Sequence, residues 1–216
     1  MNILPKETWT IISSQNDLTE DFILEHWENM DWKILIKIQR SMEFLRKLIE
    51  LLDKKRRDGK TGIVLSILPL ISQHQKLEED FIFKYGSYLD WTLASKYQIL
   101  SPRIVEKFHN FLPWNIISKY QTFTEHHIEK YKDKVNWKEI SANQTLSEKF
   151  IREYSEKVHW FEISKYQILS EKFIEDFKHK VVWKIISESQ KITPEFRTKY
   201  QREIVKSTQL LGSEGS

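Results

Sequence analysis

The 216-residue sequence contains no cysteine, which excludes disulfide bonds, thiolate nucleophiles and zinc–thiolate sites. Glycine and proline are also scarce, with five of each, and this scarcity favours helices over a β-rich fold. No apolar run approaches the roughly 20 residues that span a bilayer. The N-terminal segment MNILPKETWTIISS lacks the cationic and long apolar regions of a signal peptide. We therefore expect a soluble intracellular protein with no membrane partner.

Tryptophan, by contrast, is abundant and periodic. Seven of the eight tryptophans fit a period of 23 residues that is interrupted once: Trp9, Trp32, Trp91, Trp114, Trp137, Trp160 and Trp183. One period before Trp91 lies Leu68, and the interval from Trp32 to Leu68 contains 13 residues more than one period. Internal similarity at such a period is typical of repeat arrays. The sequence predicts an all-α protein, an α-solenoid of eight helix–turn–helix repeats with one extended hairpin.

Each repeat, numbered 1 to 8 from Trp9, contains the pattern of two short helices. Helix A begins at the tryptophan, and Trp160, Ile163, Ser164 and Gln167 share one of its faces. The residues before four of the tryptophans suit an N-cap: Thr8, Asp31, Asp90 and Asn136. Helix B follows a second predicted N-cap, ten residues after the tryptophan: Thr19, Ser101, Thr124, Ser147, Ser170 and Thr193. Glu or Pro comes next, as the first turn of a helix favours.

These repeats predict a single helical-repeat domain over residues 1–204, an insertion at about 41–67, and a frayed or disordered tail over 205–216. In the last repeat, Arg197 occupies the fourth position after the N-cap of helix B, where other repeats have Ile or Val. Because terminal repeats carry a polar outer face, this substitution indicates an end that faces water.

The sequence motif ISKYQ-x-LSEKFI, followed by V-x-W, resembles the short tryptophan-containing helical repeats encoded by families of large DNA viruses. The resemblance extends over about residues 8–200. It implies a helical array and a viral origin, with the host cytoplasm or the virion as the location. It implies no common activity and provides no catalytic residues.

The glutamine seven residues after the tryptophan recurs in every repeat but the first: Gln39, Gln75, Gln98, Gln121, Gln144, Gln167 and Gln190. Such amides suit either a ligand-reading ladder, as in RNA-binding repeats, or a structural role inside each repeat. A reading code must vary between repeats and this position does not, so we expect buried amides that bond the backbone. The tryptophans suit either base stacking or core packing, and their place beside the apolar positions favours the core.

Catalytic and metal-binding patterns are missing from the sequence. His126 and His127 are adjacent, and neighbouring helical residues point about 100° apart. The segment RRDGKTG lacks the first glycine and the preceding strand of a phosphate-binding loop. We therefore predict no enzyme, no cofactor, no metal and no small-molecule substrate.

The insertion is the largest departure from the repeat. The helical pattern of MEFLRKLIELLDKKRR predicts a lengthened helix B in repeat 2 and a lengthened helix A in repeat 3. The candidate partner-binding site is the basic tip of this hairpin: Lys54, Lys55, Arg56, Arg57 and Lys60. Residues 41–67 carry a net charge of +3, the same as the whole chain, so the remainder is neutral. We expect a protein-binding or scaffolding module. The alternatives are nucleic-acid binding through the basic tip, a tip that is only a solvated helix end, and a virion structural component.

Overall fold

The computed structural model describes residues 4–38, 40–59 and 61–212. These residues form helices and no strand, so the predicted all-α repeat fold is confirmed. The chain divides into two compact units, Met1–Pro113 and Trp114–Ser216, which contain four repeats each. In the described part of the chain, no helix is both long enough and apolar enough to span a membrane.

The first unit contains eight α-helices and one 3₁₀ turn, Gly86–Tyr88, within its described residues. The helices are α1 Lys6–Ser13, α2 Glu20–Glu25, α3 Trp32–Leu35, α4 Met42–Arg57, α5 Thr61–His74, α6 Glu79–Tyr85, α7 Trp91–Tyr97 and α8 Pro102–Phe108. Odd-numbered helices are helices A and even-numbered ones are helices B. Neighbouring helices A pack on each other, α3 on α5 and α5 on α7.

The second unit continues the same order and ends with an additional helix. Its elements are α9 Trp114–Tyr120, α10 Glu125–Lys130, α11 Trp137–Asn143, α12 Glu148–Glu153, α13 Trp160–Tyr166, α14 Glu171–Asp176, α15 Trp183–Ser189, α16 Pro194–Lys199 and α17 Gln201–Gly212. Helices α9, α11, α13 and α15 form a continuous stack, and α17 packs on α15. One isoleucine from each helix A is completely buried beneath this stack: Ile117, Ile140, Ile163 and Ile186.

Side-chain caps start the helices B as the spacing predicts. All six predicted hydroxyl caps accept a hydrogen bond from the backbone N–H three residues later: Thr19, Ser101, Thr124, Ser147, Ser170 and Thr193. Ser41 caps α4 in the same way. Among the predicted caps of helices A, Asp31, Asp90 and Asn136 are confirmed. The prediction for Thr8 is wrong, because α1 begins at Lys6 directly after Pro5, whose fixed φ suits the start of a helix.

In the second unit, buried serines join each repeat to the next. Ser118, Ser141 and Ser164 are fully buried four residues after a tryptophan. Each hydroxyl donates to the carbonyl of its own tryptophan and accepts from the backbone N–H that lies 18 residues later, at 2.9–3.0 Å. Each of these serines therefore makes a bond that positions the next helix A.

A second connection joins successive helices B. The carboxylate of Glu148, at the start of α12, accepts a 2.5 Å hydrogen bond from the backbone N–H of Ser170, the cap of α14. Glu20, Glu125 and Glu171 contact the caps Ser41, Ser147 and Thr193 in the same way. These acidic residues therefore bond the following repeat as well as complementing the helix dipole.

The insertion forms the predicted long hairpin. Helices α4 and α5 contain 16 and 14 residues, against six or seven in most of the other helices. Gly59 ends α4 with φ of 88°, the left-handed conformation that favours glycine at a helix C-terminus. At the other end of the chain, α17 includes residues 205–212 of the segment predicted to be frayed, and residues 213–216 lie outside the described part.

Candidate functional site

The basic tip makes ion pairs within the chain. Arg56 and Arg57 contact the two carboxylate oxygens of Asp53, at 2.9 and 3.0 Å. Lys55 lies 3.9 Å from Glu28. Lys54 is exposed and has no ion pair within the described chain, and Lys60 lies outside the described residues. The structure therefore neutralises much of the positive charge that the sequence places at this tip.

Asp53 is the centre of this cluster. Its side chain is 19% exposed. The hydrogen bond from Arg56, followed by the charges of Arg57 and Arg56, holds the pKa of the Asp53 carboxyl below its ordinary value, against an opposing effect of burial. Arg56 also lies over the ring of Tyr88, 5.9 Å from its centroid. These contacts join the end of α4 to the loop before α7 and indicate a structural role for the arginines.

An apolar groove of about 310 Å³ lies beside this cluster in the first unit. Its lining includes Leu52 of α4, Leu65 and Leu68 of α5, and Leu89. Leu65 is 58% exposed. This groove was not predicted, because the sequence pattern does not show which side of the long helix α5 lacks a neighbour.

The repeat glutamines bond the preceding repeat, and Gln75, Gln98, Gln144 and Gln167 are buried, whereas Gln190 is half-buried. Gln144 donates to the carbonyls of Ser118 and Gln121, at 3.1 and 2.8 Å, and accepts from the N–H of Phe123 at 2.8 Å. The corresponding three bonds are made by Gln75, Gln98, Gln167 and Gln190. Gln121 is also buried, and Gln39 lies outside the described residues. An amide whose donors and acceptor are used in this way is not available to a ligand.

The tryptophans lie at the edge of the core. Trp32 and Trp183 are buried, whereas Trp9, Trp91, Trp114, Trp137 and Trp160 are half-buried. The indole N–H of Trp160 donates to the carbonyl of Ser155, and its ring contacts Phe177 with centroids 5.0 Å apart. Lys180 lies 5.8 Å from the same ring. At Trp160, an aromatic ring and a lysine therefore occupy space that a stacked base would need.

Exposed aromatic and aliphatic side chains occur instead at the turns between helices A and B. In the first unit, Tyr97 and Ile99 are 45% and 90% exposed. In the second unit, Tyr120, Tyr166 and Ile168 are 47%, 53% and 94% exposed. Ile99 and Ile168 occupy a position that is polar or charged in the six other repeats, so the fold does not require an apolar residue there. In the sequence, this site could have been recognised because the position of Ile168 varies between repeats, whereas the positions that hold the fold together do not.

The described residues contain no group of three or more His, Asp or Glu side chains that would hold a metal ion. His127 bonds Thr124, its own helix cap, at 2.7 Å. Comparisons of the chain with family models, with curated proteins and with solved structures found no match. The surface of the repeats is therefore the part of the molecule that indicates a function.

Proposed function

We propose that this protein is a non-enzymatic module that binds or scaffolds another protein through its helical repeats. The observation that carries the proposal is the exposed apolar side chains at the A–B turns, above all Ile168 and Ile99. Exposed aromatic and aliphatic residues that the fold does not need are typical of protein-binding surfaces. From the resemblance of its repeat, we further propose a viral protein that acts in the host cytoplasm or in the virion.

The recurring side chains support this assignment by exclusion. The recurring serines, glutamines and glutamates of the repeats make hydrogen bonds between repeats. A partner would therefore be bound by the positions that vary from repeat to repeat. Three cations of the basic tip pair with carboxylates, which leaves fewer charges for phosphate contacts. We therefore prefer a protein partner to a nucleic acid.

Site-specific photo-crosslinking tests the proposal. A photoreactive phenylalanine analogue is placed at Ile168, and in a matched chain at Lys172, which is exposed on helix α14. In cells that naturally express the protein, we expect a discrete crosslinked protein from position 168 and little from position 172. Excess wild-type chain should compete for this crosslink, and excess chain carrying Tyr166→Ser and Ile168→Ser should not. Equal crosslinking at both positions would contradict the proposal.

A further inference from the structure

The apolar groove beside the end of α4 includes a gap in the hydrogen bonding of α5. Proline has no backbone N–H, so Pro69, inside α5, cannot donate to the carbonyl of Leu65, the bond that would close this helical turn. Leu65 and Pro69 both line the groove. The wall of the groove therefore contains a backbone acceptor that lacks its helical donor.

This gap is a product of the insertion. Pro69 follows Leu68, which occupies the tryptophan position of repeat 3. The helices A from α7 to α15 begin at their tryptophan, so the next residue lies in the first turn, where an N–H has no helical acceptor. Because α5 begins at Thr61, Pro69 lies inside the helix instead, and the carbonyl of Leu65 loses its donor. The repeat by itself does not produce such an acceptor.

The size and the walls of the groove suit one large apolar side chain. Its volume of about 310 Å³ is at the lower end of the range for ligand pockets, about 300–1,000 Å³. Leu52 and Leu89 in its lining are buried, and Leu65 is 58% exposed. Large side chains that fill apolar pockets, above all aromatic ones, contribute much of the affinity of protein interfaces. The groove therefore suits a single anchoring residue of a partner.

The charged groups of the lining have partners, which favours a neutral occupant. Asp53 accepts a hydrogen bond from Arg56 at 2.9 Å and pairs with Arg57 at 3.0 Å. Asp90 caps α7 by accepting from the N–H of Leu93 at 3.0 Å. An acidic occupant would meet the two carboxylates, and a basic one would meet Arg56. A neutral occupant avoids both repulsions.

A tryptophan side chain combines these features. Indole has a large apolar body, a single N–H donor and no acceptor, whereas the tyrosine hydroxyl adds an acceptor and phenylalanine has no donor. We infer that this groove binds a tryptophan side chain of a protein partner, with the ring against the leucines and the indole N–H donating to the carbonyl of Leu65. This inference depends on the proposed protein-binding function and specifies the residue that the partner presents.

Ligand-observed NMR titration of the full chain with N-acetyl-tryptophanamide tests the inference. The matched ligand carries a methyl group on the indole nitrogen and cannot donate. We expect the methylated ligand to bind about fivefold more weakly, the effect of losing one hydrogen bond. No binding of N-acetyl-tryptophanamide, or equal affinities of the two ligands, would overturn the inference. Tighter binding of N-acetyl-lysinamide would show a charged occupant and would also overturn it.

Pro69→Ala separates the role of the carbonyl from the bulk of the methyl group. Alanine restores the N–H that bonds the carbonyl of Leu65, so the preference for the unmethylated ligand should fall below twofold. Pro102→Ala is the matched control, because Pro102 is the first residue of α8 and withholds no donor from a helical carbonyl. This control should keep the fivefold preference. A preference that persists in Pro69→Ala would refute the hydrogen bond.

Leu65→Glu locates the ligand. Leu65 is exposed, so the variant should keep its unfolding midpoint, but a charge in the apolar wall should weaken binding of N-acetyl-tryptophanamide at least tenfold. Val205→Glu changes another exposed residue, on α17, and should alter the affinity less than twofold. Equal losses in both variants would place the ligand outside the groove and refute the inference. If the ligand fails to bind while position 168 still crosslinks, the proposed function stands and this inference does not.

Discussion

Five of the repeat glutamines, Gln75, Gln98, Gln144, Gln167 and Gln190, each satisfy three backbone groups of the preceding repeat. For Gln144 these groups are the carbonyls of Ser118 and Gln121 and the N–H of Phe123. They lie in a buried turn, where an unpaired polar group costs about 1–3 kcal/mol. An invariant amide at this position is therefore explained by stability, without a ligand.

We expect Gln144→Ala to lower the free energy of unfolding by about 2–4 kcal/mol, because three backbone groups lose their partner together. Urea unfolding monitored by circular dichroism measures the change. Gln209→Ala is the matched control, since Gln209 is exposed on α17 and should alter the value by less than about 0.5 kcal/mol. Equal unfolding midpoints for the two variants would show that the buried bonds contribute little.

Gly86 illustrates a glycine that is required by packing and not by backbone conformation. Its φ is −57°, which any residue adopts, but an added Cβ would lie 2.5 Å from the ring of Phe108. Because Phe108 is buried and its ring packs against Trp91 with centroids 4.7 Å apart, the ring has little freedom to move. Alanine at this position would gain a little stability by restricting the unfolded chain, but the clash with Phe108 outweighs this gain.

Gly86→Ala should therefore destabilise the protein by about 1–3 kcal/mol, as overpacking of a core does. In a double-mutant cycle with Phe108→Leu, the alanine should cost less, since the shorter side chain leaves room for the Cβ. Thermal unfolding of the four chains gives the coupling. A stabilised Gly86→Ala chain would mean that the ring shifts freely.

At the scale of elements, the end of helix α4 is held by Asp53. The hydrogen bond from Arg56 and the charges of both arginines lower the pKa of this carboxyl. A carboxyl whose pKa is lower in the folded state contributes stability above its unfolded pKa of about 3.9, and this contribution is lost as the pH falls through the folded value. The end of α4 should therefore be stabilised by ionised Asp53 and lose this stabilisation in acid.

Asp53→Asn should lower the free energy of unfolding at pH 7, and the difference from the wild-type chain should shrink as the pH falls below about 4. Urea unfolding at pH 7, 5 and 3 measures it. Asp58→Asn changes a nearby exposed carboxylate without an ion pair in the described chain and should show a smaller effect. A difference that stays constant down to pH 3 would assign the stability to something other than the charge of Asp53.

Local elements were predictable from the sequence, and the connections between repeats were only partly so. A cap such as Ser170 acts on the N–H three residues later, so its spacing alone identifies it. Glu148 and Ser164 bond residues 22 and 18 positions later. In a periodic sequence, a bond within one repeat and a bond to the next repeat leave the same pattern.

At the scale of the whole molecule, repeats that contact mainly their neighbours should open locally. The bonds of Gln167 reach back to Ser141, Gln144 and Leu146, so its removal loosens repeats 6 and 7 directly. We expect Gln167→Ala to accelerate amide hydrogen exchange in residues 137–182, with smaller changes farther along the chain. Peptides that contain α4 and α5 should keep their wild-type rates.

Hydrogen exchange with mass spectrometry measures this pattern, and Gln75→Ala supplies the reciprocal variant. Gln75 bonds the carbonyls of Ile36 and Ile38 and the N–H of Arg40, so its removal should loosen the segment that leads into α4. Each variant then reports on its own repeats. A uniform acceleration along the whole chain in both variants would instead show one cooperative transition, because every amide would then exchange through the same global unfolding.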